Sequence, residues 1–133
     1  MTRTKTFPFY YAQAAGEFAF CKHFGVPFEP DSDGRFDVTL DGASIEVVPA
    51  EDAYKSVLTF ERKNDFRKDV TVVTNLRGGN CELIGWIDRD RFRRLFKAAT
   101  ALGYGVRPLV LDRSALLPME DLRAFVRENR RAA

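Results

Sequence analysis

Residues 36–50, FDVTLDGASIEVVPA, alternate apolar and polar positions on either side of Asp41-Gly42. A period of two marks a strand with one buried face. Asp-Gly between two such runs supplies the two positive φ angles of a tight hairpin turn. The pattern predicts a β-hairpin pairing Leu40 with Ala43, Thr39 with Ser44, Val38 with Ile45 and Asp37 with Glu46. One face then carries Phe36, Val38, Leu40, Ala43, Ile45 and Val47, and the other Asp37, Thr39, Ser44 and Glu46. Two carboxylates set opposite each other repel, at a cost of about 0.2–1 kcal/mol.

The rest of the chain alternates between the two periods. Residues 9–24 place Tyr11, Ala14, Ala15, Phe18 and Cys21 on one helical face, and Gly25-Val26-Pro27 stops the helix. Residues 53–63 fit a helix and a strand equally well. The β-branched run 69–76 predicts a strand, Arg77-Gly78-Gly79-Asn80 a turn, and 81–87 the next strand. A helix follows with Asp88 as N-cap, Phe92, Leu95, Phe96 and Ala99 at core spacing, and Gly103 at its end. A short strand over 107–111 and a last helix over 118–128, burying Leu122, Phe125 and Val126, complete an α/β pattern.

Composition narrows the class. A chain of 133 residues with 45% hydrophobic and 30% charged residues suits one globular domain spanning 1–133, and its 12 phenylalanines point to an aromatic core. No apolar run approaches a membrane span, and MTRTKTFPFYY lacks an apolar segment with a cleavage site, so a cytoplasmic protein with no membrane partner is expected. Cys21 and Cys81 lie far apart with only His23 as an imidazole, which argues against a zinc site and for buried thiols. A net charge of +2 does not by itself call for a nucleic-acid partner.

Two facing carboxylates make a hard-oxygen pocket for Mg²⁺, which typically binds one or two carboxylates and a substrate phosphate. The opposing reading is a hairpin with one solvated face on which the acids never meet. Gly16-Glu17 on the first helix, Asp37 in RFDVTL, Glu46 in SIEVVPA, Gly85-Trp86-Ile87 in ELIGWID and the late segment Leu117-Pro118-Met119-Glu120-Asp121-Leu122 together resemble the PD-(D/E)XK nuclease superfamily, in particular its small single-domain phage-type members. The resemblance implies a restriction-endonuclease-like core, a central mixed β-sheet flanked by helices in αβββαβ-type order with a C-terminal helix. It also implies Mg²⁺- or Mn²⁺-dependent hydrolysis of phosphodiester bonds, with DNA as the partner and a homodimer compatible with it. Asp37, Glu46 and the carbonyl of Val47 would hold the ion, and Glu17 would support it from the helix. Gly16 carries a separate signal: glycine inside a helix costs about 1 kcal/mol against alanine, so a neighbour is expected close to the backbone there.

Val48 stands where the family has lysine, two residues beyond the glutamate. An alkyl side chain cannot hold water or balance developing charge. Three arrangements follow. The fold binds nucleic acid or a protein without cutting; or Lys55 or Lys63 supplies the cation from the next segment; or Arg35 does so from across the hairpin. Basic residues also recur at helical spacing, as Arg89, Arg93, Arg94 and Lys97 and as Arg123, Arg127, Arg130 and Arg131, a pattern that suits a solvated face as well as a phosphate backbone.

Overall fold

The Asp41-Gly42 hairpin forms in the register its alternation predicts. Val38 pairs with Ile45, Thr39 with Ser44 and Leu40 with Ala43, and Asp41 and Gly42 take φ angles of 47° and 90°, the twisted turn that matches the strands it joins. The computed structural model describes residues 7–28, 38–52, 56–101 and 109–132. Asp37, Arg35 and Lys55 lie outside these residues, as do Phe36, Gly103 and the start of the strand expected over 107–111.

The elements run α1 (Phe7–Phe24), β1 (Val38–Leu40), β2 (Ala43–Pro49), β3 (Ser56–Phe60), β4 (Val70–Arg77), β5 (Asn80–Asp88), α2 (Arg89–Ala101), β6 (Leu109–Asp112) and α3 (Leu122–Ala132). A mixed four-stranded sheet has the order β1-β2-β4-β5. Its β2 and β4 are parallel, with Ile45 beside Val70 and Glu46 beside Thr71, and the other two pairings are antiparallel. The chain is therefore α/β with a mixed sheet. Among the described residues, five strands separate α1 from α2, more than the αβββαβ order has, and β3 leaves the main sheet to pair with β6.

Both faces of the sheet are covered. On one, Val38, Leu40, Ile45, Val47, Val70, Val72 and Trp86 pack with Phe20 and Cys21 of α1 and Leu122 and Val126 of α3. On the other, Val73 and Ile87 join Val57 and Phe60 of β3, Phe92 of α2 and Leu111 of β6, with Val48 against them. The carboxylate of Asp88 accepts from the backbone N–H of Arg91 at 3.2 Å and caps α2 as the sequence predicts.

Two glycines are fixed by close approach. A Cβ on Gly16 would lie 2.7 Å from Thr74 Oγ1 and 3.3 Å from Val47 Cγ1, so α1 settles directly on β2 and β4 at that residue. A Cβ on Gly85 would lie 2.7 Å from Leu116 Cβ and 2.9 Å from the Leu117 carbonyl oxygen. Gly16→Ala should lower stability despite alanine's helical advantage of about 1 kcal/mol, because overpacking costs about 1–3 kcal/mol. Pairing it with Thr74→Ala should recover most of the loss in chemical denaturation. Equal loss in single and double variants would mean that Thr74 is not the obstacle.

Candidate active site on strand β2

Glu46 sits midway along β2, between Ile45 and Val47, whose side chains enter the core under α1. Alternation turns Glu46 to the opposite face, where it shares a row with Val48 and lies beside buried Thr71 of β4. Among the described residues its carboxylate meets Lys68, whose Nζ is 3.4 Å from Glu46 Oε2. The same nitrogen lies 3.4 Å from the carbonyl oxygen of Ile45. The side chains are 25% exposed for Lys68 and 38% for Glu46, so the pair is open enough to meet a ligand and contributes about 0–1 kcal/mol to folding.

The backbone that carries Lys68 is held from both sides. On the β2 side, the Ser44 N–H and hydroxyl donate to Asp69 Oδ2 at 2.9 and 3.1 Å, and the Asp69 N–H donates to Ser44 Oγ at 3.0 Å. On the α2 side, Arg89 Nη2 donates to the Arg67 carbonyl at 2.9 Å, its Nε to the Lys68 carbonyl at 3.3 Å, and its N–H to the Asp69 carbonyl at 3.1 Å. The bonds to the Asp69 carboxylate and from the Arg89 guanidinium are charge-assisted, the stronger class. Lys68 is thus aimed at Glu46 from a fixed main chain, although its side chain is long.

The other residues singled out from sequence are distributed as follows. Glu17 is buried at 7% exposure on α1, the layer that covers the Val47 face, so it and Glu46 belong to opposite sides of β2. Burial, and then the Glu17 carboxylate, push the Cys21 thiol above its ordinary pKa. Burial does the same to Cys81, against a smaller lowering by its hydrogen bond with Thr74. Both shifts favour the neutral thiol over the thiolate. The Val47 carbonyl lies in the β2 backbone next to Glu46, and Val48 packs against the second apolar cluster. Lys63 falls in a 3-10 turn, Lys63–Asp65, and lines a basic depression with Arg67, Arg89 and Arg93.

The contact of Lys68 with Glu46 was not legible in the sequence. It follows from the parallel pairing of β2 with β4, in which Ile45 meets Val70 across 25 positions of chain, and no local spacing encodes that. The C-terminal basic stripe has a structural use in part. Arg123 and Arg127 reach Asp41 Oδ2 at 3.4 and 3.2 Å, and Arg123 Nη2 donates to the Phe24 carbonyl at 2.9 Å. The stripe therefore fastens α3 to the hairpin turn and to the end of α1.

Among the described residues no cluster of three or more His, Cys, Asp or Glu side chains could hold a metal ion. No helix among the described residues is long and apolar enough to cross a membrane. Comparison with protein-family models, with curated proteins and with solved structures finds no match to this chain.

Proposed function

We propose that this chain is a nuclease-like protein that hydrolyses phosphodiester bonds of DNA with Mg²⁺ or Mn²⁺, in a PD-(D/E)XK-type site centred on Glu46. The observation that carries the reading is the Lys68 ammonium 3.4 Å from the Glu46 carboxylate, a cation beside the glutamate in a chain whose tripeptide has Val48 instead of lysine. Glu46, with Asp37 and the Val47 carbonyl, would hold the ion. Once bound, a divalent ion there polarises the scissile phosphate and lowers the pKa of water.

In hydrolysis a water oxygen forms a bond to phosphorus and gives up a proton to solvent, the bond from phosphorus to the leaving alkoxide oxygen breaks, and the alkoxide takes up a proton from solvent. The role assigned to Lys68 is to keep a positive charge beside the phosphoryl oxygens as negative charge gathers on them, and to hold the attacking water by a hydrogen bond. A fixed donor supplies this without reorganisation, which is why a single one is worth about 10²–10³ in rate. Lys55 and Lys63 are not needed for it, and Lys63 has another use, described below.

A second reading is favoured by Val48, which packs into the apolar cluster and leaves the tripeptide no cation of its own. Under it the fold binds nucleic acid or a protein without cutting. Plasmid nicking separates the two. The hydrolytic reading expects cleavage with Mg²⁺ or Mn²⁺ and none with Ca²⁺ or EDTA, whereas DNA binding without cleavage in any of these conditions supports the second.

A further inference from the structure

The turn before β4 and the first turns of α2 gather four cations. Lys63, Arg67, Arg89 and Arg93 line a depression of about 190 Å³ whose floor is Phe66 and Phe92, and among the described residues no acidic side chain lines it. The two rings are stacked 4.8 Å apart and are buried, at 7% and 1% exposure, so the floor is part of the core and rigid. Arg89 is committed to the carbonyls of Arg67 and Lys68, while Lys63, Arg67 and Arg93 are exposed. Like charges gathered around one hollow repel, and an anion seated among them turns that repulsion into attraction. Arg67 lines the depression, and the next residue is the one that meets Glu46.

We infer that this depression is a binding site for the phosphate backbone of DNA, and that it leads the strand to the Glu46–Lys68 pair. The inference rests on the functional reading above for its choice of nucleic acid. The two elements that form it are 21 or more positions apart in sequence and are joined by the Arg89 bonds to residues 67 and 68. Guanidinium groups suit the task because they meet phosphate oxygens with two parallel donors. The apolar rings beneath lower the local dielectric for an anion seated in the hollow, which strengthens its attraction to the cations.

Binding to a fluorescein-labelled DNA duplex of about two helical turns tests the assignment, measured by anisotropy in Ca²⁺ across a salt series. Lys63→Ala, Arg67→Ala and Arg93→Ala should each weaken binding roughly threefold or more and reduce the slope of log K against log salt by about 1. Lys22→Ala, on the α1 layer, should change neither. The same losses should be read in EDTA, where no divalent ion is held at Glu46, which separates this site from the hydrolytic one. Affinity and slope unchanged in all three basic variants would overturn the proposal, and so would a parent protein that does not bind the duplex. Full displacement of the duplex by inorganic phosphate at equal phosphate concentration would make the hollow a small-anion site and overturn it as well. Lost binding in the three variants, in a parent that cleaves nothing with Mg²⁺ or Mn²⁺, would uphold this site and remove the hydrolytic reading alone.

Discussion

Trp86→Ala is expected to cost about 3–5 kcal/mol, a large share of the roughly 5–15 kcal/mol that holds a domain together. The ring is 1% exposed, lies 4.8 Å from Phe125, and its Nε1 donates to the Pro118 carbonyl at 2.7 Å. The backbone around it is equally committed. The Trp86 N–H donates to the Leu117 carbonyl at 3.1 Å, the Leu117 N–H donates to the Trp86 carbonyl at 2.8 Å, and on its other side Trp86 pairs with Val72 of β4. Residues 116–118 thus run along the free edge of β5, and the missing Cβ of Gly85 is what lets them lie so close. The Gly-Trp-Ile stretch and the late Leu-Pro segment, noticed separately in the sequence, are one seam. Trp86→Phe should lose less, mainly the hydrogen bond from Nε1 to the Pro118 carbonyl at about 0.5–1.5 kcal/mol, and Gly85→Ala about 1–3 kcal/mol from overpacking against groups that cannot rotate away. Urea denaturation followed by far-UV circular dichroism measures all three, since Trp86 is the sole tryptophan and its fluorescence is lost in two of them. A Trp86→Ala midpoint within error of the parent would contradict the packing described.

What could be read from the sequence divides along local and non-local lines. The hairpin was legible because Asp41-Gly42 fixes the turn and the turn fixes the register. The second hairpin was legible for the same reason, with Gly78 and Gly79 at φ 54° and 89°. Strand β3 was not, because its pairing with β6 slips between Ser56 and Leu58. Val57 and Leu58 are both buried as a result, and the period of two is lost. The sequence predicts the last helix over 118–128, whereas the structure starts it with a 3-10 turn at Met119–Asp121 and carries α3 on to Ala132. Polar residues at its end give no stop signal. At the candidate site, the placement of Glu46 on the face of β2 opposite Ile45 and Val47 follows from the alternation. The Lys68 contact and the basic depression do not, since each is assembled from segments that only the parallel β2–β4 pairing and the Arg89 bonds bring together.

The role given to Lys68 makes the sharpest functional difference. Lys68→Met keeps the length and apolar stem of the side chain and removes the charge, and Glu46→Gln keeps the shape of the carboxyl group and removes its charge. Because the ion pair contributes little to folding, both proteins should unfold close to the parent. Their hydrolysis should not resemble it. Loss of the positioned cation should lower the rate about a hundredfold, and loss of the carboxylate should lower it at least as far by weakening the hold on the metal ion. Lys63→Ala, in contrast, should raise KM and leave kcat near that of the parent, because a backbone contact distant from the reacting bond serves ground state and transition state alike. The measurement that tests the central claim most directly is therefore Mg²⁺-dependent cleavage of plasmid DNA by the parent, Glu46→Gln and Lys68→Met side by side, with unfolding curves for each. Cleavage by the parent that falls about a hundredfold in both folded variants is the predicted result, and cleavage that persists undiminished in either one would contradict it.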